Sequence, residues 1–161
     1  MKISYRGSKD QVRALNTYVK LVRATESVSA RTHRHLSDAG LTTSQFGVLE
    51  AIYHLGSLSQ SELAKKILRS SGNITLVIDN LEKRSLVKRE RKQEDRRYYA
   101  IQLTPGGKKL IASIFPRHAG KIVEAMKVLT KKEQETLGRL CRKLGLQDSG
   151  RDEGGLQGRE G

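Results

Sequence analysis

Residues 89–97 gather basic side chains around one aspartate, and side chains of these types bind polyanions. The group consists of Arg89, Arg91, Lys92, Asp95, Arg96 and Arg97. Guanidinium groups are weakly hydrated and suit the concentrated negative potential of a narrow A·T minor groove. Asp95 is a poor DNA contact, but it lies two residues before Arg97 and can orient that side chain. The alternative is a charged tip that serves only solubility.

A second group of mostly short polar residues lies near the expected start of a helix. With its neighbours on the outward face, the group is Ser70, Ser71, Gly72, Asn73, Thr75, Leu76 and Lys83. Free N–H groups and the positive end of the helix dipole attract phosphate there, and Leu76 could meet a thymine methyl group. The alternative is that these residues are ordinary caps on a solvated helix face. Asp79 on that face has no evident role.

Composition favours a nucleic-acid partner. The 161 residues carry a net charge of +14, a sign that attracts polyanions, with an anionic membrane surface as the second candidate. Between Ser59 and Lys109 thirteen Lys and Arg oppose six Asp and Glu, which leaves +7. The sequence contains no run of about 18 apolar residues that could span a bilayer, and no signal peptide is evident. We therefore expect a soluble cytoplasmic protein with no membrane contact.

Cysteine usage agrees with this expectation. Cys141 is the only cysteine, so an internal disulfide is excluded. Buried free cysteines usually act as small apolar residues, and we expect Cys141 to lie inward on the last helix, together with Leu137, Leu140 and Leu144.

Apolar periodicity and capping patterns predict the elements that position these groups. A long helix over 9–36 has a heptad-like seam, and capping boxes in TTSQ, SQSE and TKKE open three further helices. The second helix is expected to bury Phe46, Leu49, Ile52 and Tyr53, and a fourth helix Ile74, Val77, Ile78 and Leu81.

The segments LVKRER and RYYAIQL alternate in the manner of strands and predict a β-hairpin. Val87, Tyr99, Ile101 and Leu103 are expected to pack on the helical body. Thr104 before Pro105 predicts a helix start, and Pro116 should kink or divide that helix. The Gly-rich segment 147–161 reads as a disordered tail.

This order of elements predicts a winged helix-turn-helix, a mainly α fold with a small β-hairpin wing. The expected organisation is an arm at 1–8, a DNA-binding region at 41–104 and a helical dimerisation region at 9–36 and 105–146. Ser59 and Gln60 are then expected at the DNA backbone. No nucleophile–base pair, metal motif or phosphate-binding glycine loop supports an enzyme, and no cofactor is expected.

At this level of detail the chain resembles the MarR family of dimeric winged-helix transcription factors. The matching segments are LTTSQFGVL at 41–49, SQSELAKKI at 59–67 and the run from Ser70 to Leu110. The pattern D-x-R followed by L-T appears as Asp95, Arg97, Leu103 and Thr104. The resemblance implies that Arg97 enters the minor groove with Asp95 as its partner, and that the first and last two helices intertwine in a homodimer.

Members of this family bind small, often aromatic, ligands between the dimerisation helices and the DNA-binding region. Residues that could line such a site here are His33, His35, Phe46, Tyr53, His54, Phe115 and His118. The alternative for the three Phe and Tyr residues is core packing. His33 and His35 point to different faces of a helix, so a metal site is not expected. The stretch IFPRH at 114–118 resembles members that respond to quinones and aromatic compounds.

Two functions remain open from the sequence. The first is a homodimeric, sequence-specific regulator of transcription, a repressor of a pseudo-palindromic operator that an aromatic, phenolic or quinone-type ligand releases. The second is a sequence-tolerant architectural protein that binds DNA or RNA through the same basic surface.

Overall fold

The computed structural model describes residues 5–67, 71–91 and 99–146, and it describes residues 71–73 by their backbone alone. The elements in chain order are α1 (Lys9–His33), a 3-10 helix (Arg34–Ala39), α2 (Thr43–Leu55), β1 (Leu58–Ser59), α3 (Gln60–Lys66), α4 (Ser71–Lys83), β2 (Val87–Arg91), β3 (Tyr99–Leu103), α5 (Pro105–Met126) and α6 (Lys131–Gly145). The predicted winged-helix order is confirmed. The expected tail at 147–161 lies outside the described residues.

Capping boxes open α1, α2, α3 and α6. Those of α2, α3 and α6 are the ones predicted from TTSQ, SQSE and TKKE. In each, the cap hydroxyl accepts a hydrogen bond from a backbone N–H of the first turn, and the backbone N–H of the cap residue donates to the side-chain oxygen of the third helical residue. The unpredicted box pairs Ser8 with Gln11 and starts α1 at Lys9.

The first helix is shorter than the predicted 9–36. Its α-helical geometry ends at His33, and the chain tightens into the 3-10 helix as far as Ala39. Gly40 follows with a φ of 63°, in the left-handed region where glycine has no steric penalty. The amide of Leu41 then donates to the carbonyl of Leu36, 3.0 Å away. The predicted stop is therefore in the right place, but the last turns differ.

Three antiparallel strands form the sheet, in the order β1-β3-β2. The predicted hairpin is its larger part, with Val87 opposite Leu103 and Arg91 opposite Tyr99. The third strand, β1, was not predicted because two residues are too few to show an alternating pattern. It pairs Leu58 with Ile101 and so joins the segment before α3 to the hairpin.

The chain divides into two compact units, Met1–Ile122 and Val123–Gly161, with the boundary inside α5. The core of the first unit draws apolar side chains from the helices and both hairpin strands. It consists of Leu36, Leu41, Phe46, Val48, Leu49, Ile52, Leu63, Ala64, Ile74, Val77, Ile78, Leu81, Leu86, Val87, Ile101, Ile111 and Ile114.

Two tyrosines predicted to face the core do not. Tyr53 is 38% exposed and Tyr99 is 41% exposed. On α2 the inward position belongs to Val48, which is fully buried and leaves Tyr53 at the edge of the apolar face. On β3 the buried position is Ile101, and Tyr99 lies two residues nearer the tip of the hairpin.

Thr104 stands directly before the helix that begins at Pro105, as predicted, and it also closes the base of the hairpin. Its amide donates to the Leu86 carbonyl at 3.1 Å, and its hydroxyl donates to the Ser85 carbonyl at 2.6 Å. The same hydroxyl oxygen accepts the amide of Gly107 at 3.0 Å. We call this junction of Ser85, Leu86, Thr104 and Gly107 the wing root. Both ends of the hairpin and the first turn of α5 are therefore bonded at one place.

Pro116 does not divide α5, which runs unbroken from Pro105 to Met126. The division at Pro116 is therefore wrong, because a proline removes only one main-chain hydrogen bond, while the alternative of a kink stays a prediction. Buried side chains on both sides, Ile111 and His118 among them, hold the helix against the rest of the first unit.

In the second unit, α6 exposes the apolar face that was predicted to lie inward. No residue of α6 is buried. Leu137, Leu140 and Leu144 are 39%, 50% and 56% exposed, and Cys141 is exposed as well. The prediction of a buried cysteine is therefore wrong for the single chain. Among the described residues no helix is long and apolar enough to cross a membrane.

Candidate nucleic-acid interface

Helix α4 presents the predicted outward face. Its inner side is anchored by Ile74, Ile78 and Leu81, which are fully buried. Leu76 on the other side is 61% exposed, although burial of a leucine is normally favourable. An exposed leucine on this face is available for contact with a partner. Ser70 and the side chains of Ser71, Gly72 and Asn73 lie outside the described residues, and Lys83 lies in the last turn.

The start of α3 is bonded to α4. The Gln60 side-chain amide donates to the Thr75 hydroxyl at 2.7 Å, across fifteen residues of chain. The Ser59 hydroxyl donates to the Glu62 carboxylate at 2.7 Å and accepts the Glu62 amide. Ser59 and Gln60 thus hold the helix-turn-helix geometry in the free chain, while their predicted contacts with the DNA backbone remain a prediction.

The wing stem orders Arg91 before the tip begins. Its Nε donates to the Tyr99 hydroxyl at 2.9 Å, and its guanidinium carbon lies 5.5 Å from the centre of the same ring. Arg91 and Tyr99 are register partners, so one tyrosine both bonds and stacks on the arginine. The other predicted wing residues, Lys92, Asp95, Arg96 and Arg97, lie outside the described residues.

Arg89 is engaged with α4. Its Nη2 lies 2.5 Å from Oδ1 of Asp79, and its Nη1 donates to Oε2 of Glu82. The Arg89 backbone amide donates to the other Glu82 oxygen at 3.2 Å. Burial disfavours the charged guanidinium, but bonding to Asp79 and attraction from Glu82 outweigh it, so the pKa of Arg89 is raised. This arrangement gives Asp79 the role that the sequence did not reveal.

The seven residues predicted for an effector site fall into two aromatic groups. His118 is central to the first, with ring centres 5.5 Å from His33, 5.4 Å from His35 and 4.5 Å from Phe46. The second joins His54 to Phe115 at 4.6 Å and to Tyr53 at 5.1 Å.

A cleft of about 470 Å³ lies beside both groups. It is lined by His33, Thr43, Ser44, Phe46, Gly47, Glu50, Ala51, His54, Leu55, Lys66 and Ile67. Three of the seven predicted residues, His33, Phe46 and His54, therefore reach it. Glu50 also lines the cleft but was not predicted, because a carboxylate on a helix is usually solvated. Burial raises the pKa of the Glu50 carboxyl, and nearby His54 offsets part of this effect.

Two histidines of the first group are buried without full hydrogen bonding. His35 is 6% exposed and His118 is 3% exposed. Both ring nitrogens of His35 and Nδ1 of His118 have no hydrogen-bond partner. Within residues 5–67, 71–91 and 99–146 no set of three His, Cys, Asp or Glu side chains is arranged to hold a metal ion.

The sequence of this chain is similar to those of known proteins. A model of the MarR family matches residues 41–99. The HTH-type transcriptional regulator MhqR of Bacillus subtilis is 36% identical over 134 residues, which make up 83% of this chain and 92% of that protein.

Solved structures agree on the fold. BpsR of Bordetella bronchiseptica, whose DNA binding is regulated by 6-hydroxynicotinic acid, is 26% identical with a TM-score of 0.73, over 81% of this chain and 98% of BpsR. The DNA complex of S. aureus MepR is 23% identical with a TM-score of 0.70, over 79% and 95%. The exposed face of α4, the arginine-bearing stem and the match to MhqR over nearly its whole length lead to one conclusion: the chain is not an enzyme and belongs to the MarR family of transcription regulators.

Proposed function

We propose that this chain is a homodimeric repressor that recognises a pseudo-palindromic operator and is released from it by a small aromatic ligand. The observation that carries the proposal is the exposed face of α4, with Leu76 61% exposed, beside a stem that orders Arg91. In this scheme α4 enters the major groove, and the wing, with Arg97 oriented by Asp95, reaches the minor groove. Such a regulator works where the DNA is, in the cytoplasm.

The second unit supports self-association. The three leucines of α6 and Val128, which is 79% exposed, present an apolar surface that a monomer would leave in water. In a two-fold dimer each copy covers the same surface of the other. The two copies of α4 would then read half-sites roughly 34 Å apart, about one helical turn of DNA.

The cleft beside α2 is the proposed effector site. It offers the exposed aromatic ring of His54 together with the partly buried carboxylate of Glu50. An aromatic molecule with a hydroxyl or ring N–H group could stack on the ring and donate to this carboxylate. BpsR, which responds to 6-hydroxynicotinic acid, supports a ligand of this general kind.

Competition between DNA sequences tests the proposed function. A labelled fragment of the promoter upstream of the chain's own gene is titrated with the protein at fixed salt, and unlabelled random duplex or RNA is added as competitor. We expect a preference for the promoter of about 10³ or more, because base contacts add to the phosphate contacts that all sequences share. Equal displacement by random duplex or RNA would favour the architectural alternative.

Replacement of Glu50 tests the effector site. Phenols, hydroquinones, quinones, aromatic acids and divalent metals are screened for thermal stabilisation and for release of promoter DNA. For an active compound, Glu50→Gln should raise the concentration needed for release about tenfold, since a hydrogen bond to a charged group is lost.

Glu26→Gln, an exposed change on α1, is the matched control and should respond as the native protein does. If Glu50→Gln also responds like the native protein, the effector binds elsewhere. If no compound in the panel releases DNA, release by an aromatic ligand is wrong.

A further inference from the structure

One guanidinium joins the wing to α4 through two carboxylates. Arg89 of β2 contacts Asp79 at 2.5 Å and also bonds Glu82, one turn further along α4. Its backbone amide donates to Glu82 as well, so the strand itself is tied to the helix. The planar fork of arginine suits two acceptors held at a fixed separation. We call these three residues the wing clamp.

The strand register explains why Arg89 points towards the helix. Arg89 is the antiparallel partner of Ile101, and opposite partners project from the same face of a sheet. Ile101 is 1% exposed, so this face is the one that covers the helical body. The Arg89 side chain is 26% exposed, about half the value for its neighbour Lys88 at 53%. The guanidinium is thus directed into the chain, unlike a freely projecting cation.

The charges of the clamp lead to an unusual expectation. Asp79 and Glu82 are acidic residues on the helix that approaches DNA, and their side chains are 41% and 38% exposed. Two uncompensated carboxylates there would repel phosphate. Arg89 compensates one of these two negative charges and at the same time fixes the helix against the strand.

We propose that Arg89 is a positioning residue for DNA recognition, which fixes the angle between the wing and α4 through Asp79 and Glu82 and does not contact DNA itself. The proposal rests on the proposed function, in which α4 and the wing enter neighbouring grooves of one operator. A wing that pivots on its root would lose its place in the minor groove while α4 stayed in the major groove.

Asp79→Asn separates this proposal from direct DNA contact. The change removes a negative charge near DNA, so simple electrostatics predicts tighter binding. If the clamp positions the wing, Asp79→Asn should instead weaken operator binding about tenfold. The matched control is Glu90→Gln, which removes the same charge from β2 outside the clamp, where Glu90 pairs only loosely with Lys88 at 3.6 Å. The control should bind equally well or more tightly.

Three further readouts complete the test. Arg89→Gln should weaken binding, and combining it with Asp79→Asn should add little, because both changes open one clamp. Cleavage by hydroxyl radicals should rise at the minor grooves beneath the wing, while methylation protection of major-groove guanines under α4 persists. Thermal unfolding at equal protein concentration shows that the variants remain folded.

Tighter binding by Asp79→Asn, to the same extent as by Glu90→Gln, would overturn the proposal. So would an Arg89→Gln variant that lowers the salt dependence by about one phosphate contact per subunit while Asp79→Asn binds as the native protein does. If the native protein itself shows no preference for its promoter over random duplex, the proposed function fails first, and the clamp has no recognition complex to position.

Discussion

Replacing Gly107 with alanine is expected to lower the free energy of unfolding by about 3 kcal/mol, because the wing root leaves no room for a methyl group. An added Cβ would lie 1.9 Å from the Leu86 carbonyl oxygen and 2.9 Å from the carbonyl carbon. Both atoms belong to the backbone and cannot rotate away. The first turn of α5 would have to move away from Leu86, which would strain the hydrogen bonds that Thr104 makes to Ser85 and Leu86. For a chain of this length the midpoint of thermal unfolding should fall by roughly 6–12 °C.

Gly106 provides the matched control one residue earlier in the same turn. A Cβ there would have its nearest neighbours at 3.7 and 3.8 Å, which is ordinary contact. Gly106→Ala should therefore be neutral or stabilise the helix by up to about 1 kcal/mol. Unfolding in denaturant at one fixed protein concentration would measure both changes, since stability of a dimer depends on concentration. Equal stability of the two variants would mean that α5 does not approach Leu86 so closely.

The buried histidine group is expected to make the fold sensitive to acid. Burial and the neighbouring histidines lower the pKa of His118, although a hydrogen bond to the Thr32 backbone works in the opposite direction. Burial, and then His35, also lower the pKa of His33. Below the ordinary histidine pKa of 6.5 the unfolded chain binds protons that the folded chain does not.

The sign follows from this difference in bound protons. The free energy of unfolding has its full value above about pH 7.5 and decreases as the pH falls through 6.5. The decrease stops once the pH is below the pKa that the histidines have in the folded chain. The slope should approach about 1.4 kcal/mol per pH unit for each such histidine. Urea unfolding of the native protein between pH 5 and 8 measures it.

His118→Phe isolates the contribution of the buried ring. Phenylalanine fills a similar space beside Phe46 but binds no proton, so the slope below pH 6.5 should become shallower whatever the variant loses in overall stability. His54→Gln is the control, because His54 is exposed and lies outside the group around His118. A slope that is unchanged in His118→Phe would show that other groups account for the acid sensitivity.

Local patterns made much of the scaffold predictable. A capping box is readable because both partners lie within four residues, as Thr42 and Gln45 do. The buried face of α4 is readable because helical geometry brings Ile74 and Ile78 to one side. The same periodicity correctly predicted the exposure of Leu76. Each of these features depends on residues that are close together in the sequence, so a single sequence is enough to predict it.

The features that sequence analysis missed depend on residues distant in the chain. The two-residue strand β1 exists only because β3, some forty residues later, offers its edge. Asp79 had no evident role because its partner Arg89 was assigned to the wing and to DNA. Glu50 was missed since a carboxylate on a helix is usually solvated, and only the cleft reveals its burial. The contacts with DNA that the sequence predicts stay predictions.

The wing root also has a consequence for how the family can diversify. Hydrogen bonds from Thr104 to Ser85 and Leu86 close the hairpin at its base, independently of the residues between Arg91 and Tyr99. Doubling the length of a loop whose ends are already fixed costs only about 0.6 kcal/mol. Insertions, deletions and substitutions at the tip can therefore accumulate with little loss of stability. If the tip contacts the operator as proposed, evolution can change the preferred operator there while the rest of the fold stays unchanged.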